Sequence, residues 1–331
     1  MHEPLVPLLL VLVLVLAAEF VNGFHDAPNA IATVVSTRVL TPRQAVAMAA
    51  VLNLAGAVAT GTAVAATVGK GIVDPKVIDL ATVGAAMVAI VIWNLFTWRL
   101  GLPSSSTHAL VAALTGAGLV AAGPSVLLWS GWEKVLLGLV FSTVIGFSVG
   151  ILLMVAIYWI LRRANPLTTR KTFGRLQIVS SAVMAFSHGS NDGQKFMGIF
   201  TLALMLDGAI STFAVPWNVL LLCGATMAAG TMFGGWRILR TMGFKLTRLE
   251  PVQGFAAETS ASATILVASH FGIPTSTTHT ISTSIMGVGA SGRFSAVRWG
   301  VTRRIVLAWI LTFPACAILA ALVTLLLKRV F

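Results

Sequence analysis

The chain is short of charge: Asp, Glu, Lys and Arg make up 10% of its 331 residues. Soluble domains carry about 25%, so the composition excludes a water-soluble enzyme or binding module. Cysteine is nearly absent. Cys223 and Cys316 each lie in an apolar run, which excludes a disulfide framework, and no His/Cys cluster has zinc-like spacing. Acidic residues number 10 against 22 Lys and Arg, yet the basic residues are scattered over several loops. The net charge of +12 is therefore no nucleic-acid footprint. A Gly-rich nucleotide loop is missing too, so nothing suggests that ATP drives the protein or that a cofactor is held. The amino terminus lacks a basic n-region: His2 and Glu3 precede an apolar run that continues into a polar motif at Asn22. That run reads as a membrane segment and not as a signal peptide.

What the chain has in abundance is apolar sequence, 57% of all residues. A bilayer crossing takes about 20 mostly apolar residues. Candidate segments fall at roughly 5–37, 44–68, 79–100, 103–122, 134–161, 178–205, 216–236, 252–271, 273–291 and 305–327. The expected fold is an all-α polytopic membrane protein of roughly ten to twelve segments, the fourth and ninth being candidate re-entrant hairpins. If the segments alternate, one side receives Arg38, Arg43, Arg99, Arg162, Arg163, Arg170, Lys171, Arg175, Arg237, Arg240, Lys245, Arg248, Arg293, Arg298, Arg303 and Arg304. The positive-inside rule makes that side cytoplasmic and turns both termini outward. The expected location is the cell (inner) membrane, multi-pass, with lipid as the surrounding partner and nucleic acid excluded.

Two motif pairs repeat. Asn22-Gly23-Phe24-His25-Asp26-Ala27-Pro28-Asn29-Ala30 in segment one answers His188-Gly189-Ser190-Asn191-Asp192-Gly193-Gln194-Lys195 in segment six. Pro103-Ser104-Ser105-Ser106-Thr107-His108 answers Pro274-Thr275-Ser276-Thr277-Thr278-His279. Ala59-Thr60-Gly61-Thr62 and Ala228-Ala229-Gly230-Thr231 match more loosely. Five segments flank a basic linker on either side, and an odd number of crossings per half turns the second copy upside down. This predicts a first inverted repeat at 1–161, a cytoplasmic linker at 162–177 and a second repeat at 178–331, with broken helices meeting at the midplane.

A carboxylate within a membrane segment is a functional-site hypothesis by default, which singles out Asp26 and Asp192. Gly23, Pro28, Gly189 and Gly193 predict that both helices break beside them, freeing carbonyls and N–H groups. Asn29 and Asn191 supply neutral oxygen ligands suited to Na⁺ or a proton relay. Lys195 either neutralises Asp192 or touches substrate. Glu258 is a further candidate, and Glu19 faces either the cavity or the outer surface. His25, His188, His108 and His279 lie within the motifs as hydrogen-bonding residues, with no metal site expected; His270 reads as structural. The hydroxyl runs, each after a proline placed at the first helical position, make two helix N-termini fit for a tetrahedral oxyanion. Two carboxylates beside such an anion repel it unless protons or cations arrive with it, which implies symport. Phosphate can donate a hydrogen bond to a carboxylate and sulfate cannot, so the aspartates favour phosphate over sulfate as cargo. A Ser105/His108 or Ser276/His279 intramembrane hydrolase is the rival of another class; it lacks a Gly-x-Ser-x-Gly nucleophile elbow. A passive channel is the third reading.

At these residues the chain resembles the inorganic phosphate transporter (PiT) family, over nearly its whole length and in its bacterial low-affinity permease form. The resemblance implies an inverted-repeat transporter, a homodimer and no enzyme, taking up orthophosphate with H⁺ or Na⁺. It also implies that Asp26, Asn29, Asn191 and Asp192 hold ion and substrate. Ser104, Ser105, Ser106, Thr107, Thr275, Ser276, Thr277 and Thr278 would line the phosphate site, with Gln194 and Lys195 beside them. His25 stands where the family usually has asparagine, and Gly193-Gln194-Lys195 replaces its usual run. These departures resemble the proton-coupled bacterial branch, in which phosphate travels with protons or as a neutral metal complex, so H⁺ is expected over Na⁺ as the coupling ion.

Overall fold

The computed structural model describes residues 5–330; His2 and Glu3 lie outside the described residues. Within them the regular structure is helical, apart from one isolated bridge between Val73 and Leu127. The helices in chain order are α1 Leu5–Ser36, α2 Pro42–Ala59, α3 Ala63–Gly71, α4 Leu80–Leu100, α5 Ser106–Ala122, α6 Trp129–Val140 and α7 Gly146–Leu161. There follow α8 Pro166–Leu206, α9 Trp217–Phe233, α10 Trp236–Arg240, α11 Pro251–His270, α12 Thr277–Gly292 and α13 Trp299–Val330. Local chemistry sets their ends. Thr41 and Gln44 form a capping box ahead of α2, with Pro42 in its first turn. Asp79 caps α4 by accepting from Thr82 N–H, and Gly101 closes that helix in the left-handed conformation.

By length and apolar composition four helical stretches can span a bilayer: α1, α4, the continuous α6–α7 rod Trp129–Leu161, and α13. Two bent pairs add to them, α2 with α3 at 75° and α9 with α10 at 59°. Large apolar side chains on α1 (Leu10, Val13), α7 (Leu152, Ile160) and α13 (Ile310, Leu326) are exposed, as a lipid-facing surface requires.

The structure corrects the expected breaks. α1 runs without interruption through Gly23 and Pro28, and α8 through Gly189 and Gly193. The chain breaks instead at Thr60–Thr62 and Gly234–Gly235, so Gly230-Thr231 lies inside α9 and does not match the first break in register. The glycines beside the aspartates serve close packing. A methyl group on Gly189 would run into the backbone of Asn53 on α2, and one on Gly23 into the backbone of α9 at Met227. Small residues at helix crossings are what bilayer packing selects, since lipid provides no hydrophobic drive between helices.

The stretch 162–177 is largely helical. All but its first few residues belong to α8, whose 41 residues extend about 61 Å at 1.5 Å per residue.

Two apolar clusters make the core. One takes Val15 from α1 and Met197 from α8; the other takes Ile31 from α1 and Met184 from α8. Along α1 the polar stretch between them is residues 19–29, and along α8 it is 188–195. The two helices pass from cluster to cluster in opposite senses, so their polar stretches meet back to back in one layer.

This geometry sets a labelling result. Asn165 and Asp207 bound α8 at its two ends. Single cysteines at Asn165 and Lys245, in a background lacking Cys223 and Cys316, react only from the cytoplasm with an impermeant maleimide. One at Asp207 reacts only from outside. Labelling of Lys245 and Asp207 from the same face would break the orientation.

Candidate functional site

Helical spacing presents the site residues. On α1, Asp26 and Asn29 are three apart; on α8, His188, Asp192 and Lys195 stand four and three apart. Each set therefore shares one face. Asp26, Asp192 and Lys195 are all no more than 2% exposed, and charges at such depth persist only when paired.

Lys195 supplies the pairing. Its ammonium donates to the carboxylate of Asp192, to Thr107 Oγ1 at 2.5 Å and to the carbonyl of Thr275 at 3.0 Å. Three donors meet three acceptors. The other oxygen of Asp192 accepts from the Thr277 hydroxyl at 3.1 Å and lies 3.3 Å from His188 Nε2. His188 Nδ1 in turn is 3.1 Å from Asn53 Oδ1. Asp26 has its own histidine: His25 Nδ1 is 2.6 Å from Asp26 Oδ1, and His25 Nε2 lies 3.0 Å from Thr97 Oγ1 and 3.3 Å from Ser104 Oγ. Asn29 donates to the hydroxyls of Thr277 and Thr278 at 3.2 and 2.9 Å. Asp26, His188 and Asp192 offer ligand atoms within 4.8 Å of one another, a spacing that fits one small cation.

The hydroxyl runs open α5 and α12, though not as the prolines suggest. Pro103 and Pro274 lie in irregular chain, Pro103 inside a turn closed by Ser104 N–H to Leu102 O at 2.9 Å, and α5 and α12 begin three residues later. Ser105 and Ser276 are the N-caps, accepting from the backbone N–H of His108 and His279, each at 3.2 Å. The first ladder bonds run from Ala109 N–H to Ser105 O and from Thr280 N–H to Ser276 O. The amides of Ser106, Thr107, Thr277 and Thr278 thus precede the ladder, at the positive ends of two dipoles. The two hydroxyl runs touch where the Thr107 hydroxyl donates to the Thr275 carbonyl at 2.9 Å.

This capping overturns the hydrolase reading. Each serine faces its histidine's backbone amide, while the imidazoles turn elsewhere. His108 and His279 meet edge-on with centroids 4.6 Å apart, and His279 stacks on Trp309 at 3.8 Å. A serine whose oxygen caps a helix and lacks a hydrogen bond to the imidazole has no general base.

The remaining sequence candidates occupy the margins. Asn191 donates to Ser269 Oγ at 2.7 Å, and its own oxygen is buried without a partner. Gln194 accepts from Val64 N–H at 2.9 Å and donates to Ser190 O at 2.7 Å, so it caps α3 just after the α2–α3 bend. Ser106 Oγ accepts from Asn94 at 3.3 Å. Glu258 sits apart, toward the C-terminal end of α1, bonded to Thr33, Gln177 and Ser180. Glu19 is fully buried and accepts from Asn22, which removes its placement at the outer surface. Asn53, Thr97, Ser269 and Trp309 join the network without having been singled out. Asn53, Thr97 and Trp309 interrupt mostly apolar helices, and Ser269 is one of several hydroxyls on α11, so none carries a distinguishing signal.

The chain matches the model of the phosphate transporter family over residues 22–320. It is 47% identical to a probable low-affinity inorganic phosphate transporter of Rhizobium meliloti, across 96% of this chain and 95% of that one. It is 42% identical to the protein of the same description in Bacillus subtilis, across 98% of both. A solved structure described as the sodium-dependent phosphate transporter superposes with a TM-score of 0.90 at 26% identity, across 98% of this chain and all of that one. With two aspartate-bearing helices joined to two hydroxyl-lined helix ends, and with these matches over nearly its full length, the chain belongs to the phosphate transporter family, whose members are transporters and not enzymes.

Proposed function

We propose that the protein is a secondary active symporter of the cell (inner) membrane that imports inorganic phosphate with a cation, H⁺ in preference to Na⁺. One observation carries the reading: a single hydrogen-bonded network ties both hairpin ends, through Thr107, Thr275, Thr277 and Thr278, to Asp192, Lys195 and Asn29. An anion at the hairpin ends takes hydrogen bonds from the threonine hydroxyls and the amides that precede the ladders, and the Lys195 ammonium is within reach of the same place. Cation and anion thus share partners, so neither binds without altering the other's electrostatics. The antiparallel sense of α1 and α8 supports the two-repeat plan, 1–161 and 178–331, as the basis of alternating access. A homodimer belongs to the same proposal.

H⁺ is favoured by the pairing of each aspartate with a histidine, His25 with Asp26 and His188 with Asp192. Such pairs take up a proton without rearranging heavy atoms. The sodium-dependent structural relative favours the second reading, Na⁺ among the oxygens of Asp26, Asn29, Asn191 and Asp192. Phosphate carried as a metal complex would use the Asp26, His188 and Asp192 ligand set for its metal, as cargo. Radiolabelled phosphate uptake into proteoliposomes distinguishes these: an imposed inward proton gradient drives accumulation without Na⁺. Accumulation only under a Na⁺ gradient selects the sodium reading, and uptake that never exceeds equilibrium rejects symport.

The hydroxyl partners give the expected size of a binding defect. Thr107→Ala and Thr278→Ala each remove a donor to a charged ligand, worth roughly 1.5–3 kcal/mol, or about ten- to a hundredfold in half-saturating phosphate. Unchanged half-saturation in both variants would put the anion elsewhere.

A further inference from the structure

Beyond the central site, the cytoplasmic end of α1 closes in an unusual way. Arg38 N–H bonds to Val35 O and Val39 N–H to Val34 O, each at 3.1 Å, which is a Schellman turn with residue 38 in the left-handed position. Arg38 holds that position at φ 62°; among the described residues every other positive-φ residue is glycine. A side chain in this region is strained, and such strain gathers where a site requires the side chain. Glycine would close the turn more easily but would supply no guanidinium.

Arg38 lines a cavity of about 480 Å³, together with Arg170 from α8, Arg248 from the stretch before α11 and Arg298 from just before α13. Ser36, Thr37 and Thr247 add hydroxyls, and Glu250, at the N-cap of α11, is the carboxylate in the lining. No ion pair among the described residues involves any of the four arginines. The positive-inside rule accounts for the side on which arginines lie. It does not account for four, from four separate segments, converging on one cavity. From the cavity a polar path leads inward. The Thr37 hydroxyl donates to Gln177 Oε1 at 2.9 Å, and Gln177 donates to Glu258 at 3.3 Å. Asp26 lies twelve residues back along α1, about 18 Å at 1.5 Å per residue.

We propose that this vestibule is a second oxyanion site, binding orthophosphate between its release from the central site and its escape into the cytoplasm. The inference rests on phosphate being the cargo. Guanidinium forks match phosphate oxygens, and their exposure to water and salt keeps the hold weak. A release site needs that weakness, because a tight one would trap what passes through.

The test is phosphate flux in proteoliposomes, with half-saturation measured separately at the arginine-bearing face and at the opposite face. Arg38→Gly removes the charge and relieves the strained turn, so folding is retained. It raises half-saturation at the arginine face about two- to fivefold at low salt, the range for an exposed charge pair. The shift shrinks at high salt, Arg38→Lys restores most of the affinity, and the opposite face is unaltered. Arg163→Gln, equally basic but outside the cavity, changes neither face. Equal shifts at both faces, or none with Arg38→Gly, overturn the proposal while leaving phosphate symport intact. The same measurements in pure phosphatidylcholine and in phosphatidylglycerol-containing vesicles separate the sources of phosphate. A shift seen only with the anionic lipid assigns the arginines to lipid headgroups and overturns the orthophosphate site. A wild-type protein that moves no phosphate overturns both this inference and the transport reading.

Discussion

Replacing Asp192 by asparagine abolishes concentrative phosphate uptake and spares phosphate exchange between equal solutions. Asp192 is the carboxylate at the centre of the network: it accepts from Lys195 and from Thr277, and it faces His188. While it is charged, the Lys195 ammonium is neutralised and an arriving phosphate meets the second charge of Asp26 nearby. A bound proton or Na⁺ removes that repulsion, so ion and phosphate each raise the other's affinity by the same factor. Asparagine keeps the shape and an acceptor for Lys195 but fixes the site in the equivalent of its cation-loaded state. Phosphate still binds, with the Lys195 charge no longer neutralised by a carboxylate, and nothing remains to link the anion to a gradient. In the proton-coupled form, wild-type uptake rises as external pH falls, and the residual exchange of the variant loses that part of its pH dependence. An Asp192→Asn protein that concentrates phosphate at the wild-type rate would leave Asp192 a structural residue and this coupling scheme without support.

The second large effect is on stability. Lys195→Met leaves a buried carboxylate without its cation and the Thr107 hydroxyl without a donor. Breaking one side of a buried pair costs about 3–5 kcal/mol, and in this protein the loss falls where α5, α8 and α12 meet. The variant unfolds at a markedly lower temperature in detergent micelles and transports nothing. Adding Asp192→Asn to it removes the orphaned charge and recovers most of the lost stability, while transport stays absent. The two substitutions are therefore strongly non-additive, as contacting residues are. Additive losses would mean that the ammonium and the carboxylate do not stabilise one another.

How much of this was legible in the sequence depended on contrast. Asp26, Asp192 and Lys195 stand out because ionised groups are costly in lipid, and the two hydroxyl runs stand out because they repeat. The unbroken course of α1 and α8 was not legible. Glycine is equally at home in a helix break and in a tight helix crossing, and only the proximity of Asn53 to Gly189 and of Met227 to Gly23 decides between them. The prolines misled by a few residues, since the irregular chain ahead of an N-cap suits proline as well as a first turn does. Asn53, Thr97 and Ser269 were invisible for another reason: an amide or hydroxyl within a helix acquires meaning only from its partner, here more than 70 residues away. The left-handed Arg38 has no sequence signal at all, since the turn it closes ordinarily takes glycine.

The polar middle of α8 also dictates how the protein must be made. Asp and Lys at a helix centre each resist entry into lipid by roughly 2.5–3.5 kcal/mol during insertion, and this helix carries both, beside His188, Asn191 and Gln194. Asn53 on α2 and Thr107 on α5 are synthesised beforehand, but Thr275 and Thr277 emerge some eighty residues later. α8 therefore waits against the helices already made, short of part of its bonding, until the ninth apolar segment leaves the ribosome. Nascent chains ending soon after Leu206 are the vulnerable intermediates of biogenesis, exposed to membrane quality control until translation reaches the second hairpin.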